Sequence, residues 1–187
     1  MEAYAQAKQK LFSWPSLKCA VINADDAFGQ RLLTALKAES KATLSYGFSD
    51  EADLHASHLR LHESGLSMQV SYKQGNVALH APVLGRFNAY NVLAVLSGLL
   101  ALGSPLELAM PALAQLQSVT GRMQQFGGEK LPLVVVDYAH TPDALEKVLI
   151  TLREQATGQL ICLFGCGGER DTGKRPMMGA IASQLAD

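Results

Sequence analysis

Residues 133–176 constrain this chain more than any other stretch. The apolar run Leu133-Val134-Val135-Val136 leads directly into Asp137-Tyr138-Ala139-His140-Thr141-Pro142-Asp143. A second run, Leu160-Ile161-Cys162-Leu163-Phe164, opens into a glycine-rich, charged loop that ends at Pro176. Short β-branched and aromatic runs bounded by turn formers read as strands. Thr141-Pro142-Asp143 reads as a helix start, because threonine caps, proline suits the first helical position and aspartate suits the positive end of the dipole. The order is therefore strand, turn, helix, strand, loop, helix, which is an α/β pattern. Ligands of open parallel sheets bind beyond the carboxyl ends of the strands, so both polar turns are candidate ligand loops.

The rest of the chain supports a globular α/β protein. At 187 residues and 48% hydrophobic content it can build a core, either as one domain or as one domain with part of another. A net charge of −1 gives no electrostatic reason to expect nucleic acid or a membrane surface. No apolar run reaches the roughly 18 residues needed to span a bilayer, and the N-terminus has no signal-peptide block. The three cysteines form no CxxC pair and two fall on expected strands, so buried free thiols and a cytoplasmic location are expected.

Residues 1–12 have helical composition. Tyr4, Ala7, Lys8, Leu11 and Phe12 share one arc of that helix, with Lys8 in the middle of it. Two readings fit: a lysine whose stem packs while its ammonium reaches water, or a buried lysine with altered chemistry. Strands are expected at 17–23 and 43–48. Between them lies a helix at 27–37, opened by Asp25 and Asp26 as caps. Residues 50–84 alternate in short runs and predict a small antiparallel meander. His55, His58 and His62 lie there and read as solvated polar residues rather than metal ligands. An apolar helix is expected at 89–102 and another helix at 105–117. Asn88 fits two roles, a cap for the first of these helices or a reader of a purine edge, since its amide offers a donor beside an acceptor. Asn91 faces the same way one turn on. Residues 118–122 form a polar joint, after which the pattern becomes β-α-β-α. Arg122 there is either a surface charge or an anion contact.

Within the opening stretch, Asp137 is either a turn residue or an acceptor for ribose hydroxyls. His140 has no structural role readable from sequence. Residues 168–175 nearly match the phosphate-loop pattern GxxxxGK[ST], but Arg175 replaces the hydroxyl residue that would hold Mg²⁺. The better reading is a basic loop that gathers Arg170, Lys174 and Arg175 near an anionic ligand.

Four blocks in order carry a family resemblance. They are Gly85-Arg86-Phe87-Asn88-Ala89-Tyr90-Asn91, Gly121-Arg122-Met123, Asp137-Tyr138-Ala139-His140-Thr141-Pro142-Asp143, and residues 164–176. Together they resemble the Mur ligases of peptidoglycan synthesis, the cell-wall pathway that underlies cell shape and division. The likeness is to the members that add a diamino acid. It implies residues 1–118 as the second half of a central ATP-binding domain, with a parallel sheet plus a small antiparallel meander. It implies residues 119–187 as the start of a Rossmann-like C-terminal domain. The implied activity is ATP- and Mg²⁺-dependent addition of a diamino acid, here meso-diaminopimelate, to UDP-MurNAc-L-Ala-D-Glu through an acyl phosphate, by a cytoplasmic and monomeric parent enzyme.

The resemblance assigns residues as well. Lys8 matches a lysine that the family carbamylates to help place Mg²⁺, which would account for a lysine in an apolar arc. Asn88, Arg122, Asp137 and His140 would meet ATP. Arg170 and Lys174 would meet the amino-acid substrate. The family's GTxGKT phosphate loop and its Asp-Asn-Pro-Arg motif do not occur in the sequence, so ATP turnover by this chain alone is not expected. A stand-alone nucleotide-binding module and a divergent phosphate-loop NTPase are the competing readings.

Overall fold

The computed structural model describes residues 2–128, 130–167 and 171–187. The chain forms two compact units: residues 1–60, 67–81 and 87–115 in the first, and residues 61–66, 82–86 and 116–187 in the second. Among the described residues no helix is long and apolar enough to cross a membrane.

The first unit begins with α1 (Glu2–Gln9) and a 3-10 turn at Lys10–Ser13. β1 (Ala20–Asn23), α2 (Ala27–Ala38) and β2 (Thr43–Gly47) follow as a parallel βαβ unit in which Ala20 pairs with Thr43 and Asn23 with Tyr46. Asp26 caps α2 by accepting from the Gly29 amide at 2.8 Å. Ala20, Ile22 and Ala24 of β1 and its exit pack against Leu32, Leu33 and Leu36 of α2, with Ala52 completing the cluster. Each fully buried leucine contributes about 1.5–3 kcal/mol of apolar transfer.

β3 (Leu54–His62) is parallel to β2 for only two residues, Tyr46 with Leu54 and Gly47 with His55. The link between them, residues 48–53, is too short for a helical crossover. Carboxylates satisfy its backbone instead. Asp25 accepts from the Phe48 and Ser49 amides at 2.7 and 3.0 Å, and Asp53 accepts from the Ser45 amide at 2.8 Å and its hydroxyl at 2.7 Å. Asp25 therefore does not cap α2, as the sequence suggested; Asp26 alone takes the cap, and Asp25 seals the neighbouring strand exit.

β4 (Gly65–Tyr72) and β5 (Gly75–Ala81) complete one sheet in the order β1-β2-β3-β4-β5. The two-residue links after β3 and β4 require antiparallel neighbours, so the expected meander is present, continuous with the parallel strands. α3 (Arg86–Ala101) buries Ala89, Val92, Leu93 and Leu96, one stripe at helical spacing, and α4 (Leu106–Ala114) packs against β5.

In the second unit β6 (Gln124–Gly127) pairs antiparallel with β7 (Leu133–Val136), with Gln124 opposite Val136. α5 (Pro142–Gln155) starts at a Thr141 cap whose hydroxyl accepts from the Ala144 amide at 3.3 Å. α6 (Lys174–Leu185) packs on α5 through Leu145, Leu149 and Met178. One expectation fails here: β7 lies in a two-stranded antiparallel ribbon, and residues 160–164, expected as a second strand, form none. Leu160 and Cys162 pack on the α5–α6 cluster, whereas Ile161 and Leu163 are 80% and 97% exposed. The segment keeps the period of two without a ladder, because strand status depends on a hydrogen-bonded neighbour, which composition cannot supply. Cys162 is thus off any strand, and Cys19 immediately precedes β1. All three cysteines are free and half-buried.

Candidate functional site

The candidate residues divide between the two units. Lys8 and Asn88 belong to the first, and Arg122, Asp137, His140 and Lys174 to the second. Arg170 lies outside the described residues.

In the second unit β7 ends at Val136, and Asp137 turns the chain. One carboxylate oxygen of Asp137 accepts from the Met123 amide and the other from the Ala139 amide, each at 2.9 Å. The Tyr138 amide donates to the Gly121 carbonyl at 2.8 Å. The Met123 and Tyr138 bonds fasten the Gly121–Arg122–Met123 bend to the turn after β7, and the Ala139 bond closes the turn itself. That bend needs the fastening: Gly121 has φ +68° and Met123, a side chain with no exposed surface, has φ +50°. A left-handed residue other than glycine persists only where its surroundings hold it.

The bend carries Arg122 over the Tyr138 ring, with its guanidinium carbon 5.8 Å from the ring centroid. On the same turn the His140 ring lies 5.1 Å from the Tyr138 ring, and Nδ1 of His140 is 3.0 Å from the Tyr138 carbonyl. Lys174, the first residue of α6, donates from Nζ to the His140 carbonyl at 3.3 Å. Arg122 and His140 therefore flank Tyr138, Asp137 precedes it in the turn, and Lys174 reaches the same turn through the His140 carbonyl. Each Asp137 oxygen uses one lone pair on the backbone and keeps another, so the turn role and the hydroxyl-acceptor role are compatible. Sequence reasoning missed Tyr138, and nothing in its residue type marks it as the hub.

Two candidates sit differently from expectation in the first unit. Asn88 does not cap α3, which starts two residues earlier at Arg86; Asn88 lies in its first turn, and its side-chain oxygen accepts from the Asn91 amide at 2.9 Å. Lys8 stands exposed in the last turn of α1, a position favourable for a cation, so the reading of a buried lysine does not hold. Leu11 on the same arc is 65% exposed. His55, His58 and His62 lie on β3, and among the described residues no group of three His, Cys, Asp or Glu side chains could hold a metal ion.

Comparison with known proteins decides the family. Residues 1–98 match the Mur ligase middle domain, and residues 121–187 match the Mur ligase, glutamate ligase domain. The chain belongs to the Mur ligase family. Among Mur ligase relatives, a UDP-N-acetylmuramoyl-L-alanyl-D-glutamate--2,6-diaminopimelate ligase of Pseudomonas aeruginosa is 53% identical over all of this chain and 38% of its own length. A solved structure of a UDP-N-acetylmuramoyl-L-alanyl-D-glutamate--2,6-diaminopimelate ligase superposes with a TM-score of 0.80 at 39% identity, covering all of this chain and 39% of that one. MurF from Acinetobacter baumannii superposes with a TM-score of 0.70 at 25% identity over 81% of this chain and 33% of its own. The chain thus spans under two fifths of the length of these Mur ligases.

Proposed function

We propose that this chain carries part of the nucleotide and amino-acid sites of a ligase that adds meso-diaminopimelate to UDP-MurNAc-L-Ala-D-Glu, with ATP as co-substrate, in the cytoplasm. The observation that carries the reading is the turn after β7, where Asp137 ties down the bend bearing Arg122, Arg122 and His140 flank Tyr138, and Lys174 reaches the His140 carbonyl. In this reading residues 1–118 are central-domain material and residues 119–187 the beginning of the C-terminal domain. The relatives' shared name for the diaminopimelate-adding reaction supports the choice of amino acid.

The roles follow from donor chemistry. Asp137 accepts ribose hydroxyls with its remaining lone pairs. Arg122 offers a planar cation to phosphate oxygens, and His140 lines the same turn. The Asn88–Asn91 amide pair meets adenine. Arg170 and Lys174 hold the carboxylate of the incoming amino acid. Lys8, if carbamylated, supplies one oxygen ligand to Mg²⁺. The described residues hold no complete ligand set for that ion, so no step is derived through it.

Titration of the chain with ATP tests the site. Binding in the millimolar range or tighter is expected, weakened at least several-fold by Asp137→Ala and Arg122→Ala combined. ATP binding that survives the double substitution unchanged rejects the assignment.

A further inference from the structure

Asp25 makes contacts that neither a cap nor the proposed nucleotide contacts account for. Its carboxylate lies beyond the end of β1 and accepts three hydrogen bonds. Two come from the Phe48 and Ser49 amides at the exit of β2, at 2.7 and 3.0 Å. The third comes from the hydroxyl of Tyr90, in the first turns of α3, at 3.0 Å. The Tyr90 ring also stands edge-on to Phe48, with centroids 5.1 Å apart and planes at 75°. Space around the carboxylate is closed as well: a Cβ on Gly47 would lie 2.6 Å from an Asp25 carboxylate oxygen. Gly47 thus leaves room for the clasp, and the carboxylate has little freedom to move away from Tyr90.

Tyr90 lies between the two asparagines of the amide pair. At 100° per residue Asn88 and Asn91 are 60° apart on the helix, while Tyr90 is 160° from Asn88 and 100° from Asn91. The clasp therefore grips the side of the turn facing away from the pair. Asn91 is exposed and Asn88 half-buried, whereas Ala89 and Leu93 have no exposed surface. A hydrogen bond to a charged acceptor is stronger than one between neutral groups, which suits a tether that fixes the rotation of a helix start.

We infer that Asp25 and Tyr90 are positioning residues for base recognition, holding the first turn of α3 so that the Asn88–Asn91 pair presents a fixed donor–acceptor edge. This rests on the adenine reading of that pair. Asp25 and Tyr90 act through the helix and do not touch the base.

The test combines two readouts on the 187-residue chain. The first is the ratio of ATP to inosine triphosphate affinity by calorimetry; inosine replaces the adenine amino group with an oxygen and so inverts the hydrogen bond that the pair would accept. The second is the side-chain amide signals of Asn88 and Asn91 in the nucleotide-free protein by nuclear magnetic resonance. Tyr90→Phe keeps the ring and removes only the tether. It should lower the ATP preference about fivefold and shift or broaden both amide signals. Asp25→Asn should act in the same direction and add nothing in the Tyr90→Phe background. A purely structural role would lower the melting temperature while leaving both readouts unchanged, and that outcome overturns the inference. If the wild-type chain shows no base preference, the adenine reading fails and the inference fails with it. If the preference is present but indifferent to both substitutions, the adenine reading stands and only the inference falls.

Discussion

Replacing Asp137 by alanine removes the acceptor that joins the Gly121–Met123 bend to the turn after β7. Two amides lose their partner, those of Met123 and Ala139, each bonded at 2.9 Å. Hydrogen bonds to a charged acceptor contribute about 1.5–3 kcal/mol each. Asp137 is half-exposed, so water replaces much of the Ala139 bond. The Met123 bond is harder to replace, because its residue has no exposed surface and sits at φ +50°. The net local loss is about 2–3 kcal/mol, which corresponds to roughly 30- to 150-fold more opening. Native-state amide hydrogen exchange reads this directly. Protection of the Met123 and Ala139 amides should fall by that factor in Asp137→Ala, by less in Asp137→Asn, and hardly at all on α2 of the other unit. Unchanged exchange at Met123 would refute the argument that this carboxylate holds the bend.

Other substitutions probe separate parts of the fold. Gly29→Ala would drive a Cβ into the carbonyl of Asn23, where α2 leaves the end of β1; a stability loss of about 3 kcal/mol or more is expected in urea unfolding followed by circular dichroism. Burial raises the thiols of Cys19 and Cys162 above their ordinary range, with Asp53 adding to the effect at Cys19; mass spectrometry after iodoacetamide treatment at neutral pH should show both alkylated more slowly than a free cysteine peptide. The Asp187 carboxyl is held below its usual range, first by the Leu160 amide at 2.7 Å and then by Arg153 at 2.9 Å. A lowered folded value means that its contribution to stability is present above the ordinary aspartate pKa and is lost as pH falls through the depressed one. Carbon-detected titration should find its midpoint below that of a model aspartate, and Arg153→Gln should raise it.

Local chemistry made several features legible from the sequence. Asp26 and Thr141 cap their helices because an acceptor side chain ahead of an apolar-periodic run meets free amides wherever that helix starts. The four motif blocks implied the family, and the domain matches at 1–98 and 121–187 bear it out. The period of two in residues 54–81 marked the meander. Tertiary structure decided where each backbone group found its partner. Residues 160–164 have strand composition and no ladder, and β7 pairs only with β6. Asp25 and Asp26 are adjacent and chemically identical, yet one caps α2 and the other ties β2 to Tyr90, 65 residues away. Ala7, Lys8 and Leu11 are exposed, whereas Phe12 of the same arc packs on the cluster between β1 and α2. The approach of Arg122 to Tyr138 depends on a left-handed bend and a carboxylate bridge between segments 14 residues apart. A sequence fixes the donors, acceptors and periodicities of each segment. Which of them meet across long separations is a property of packing, set only when the whole unit excludes water and every buried polar group must find a partner.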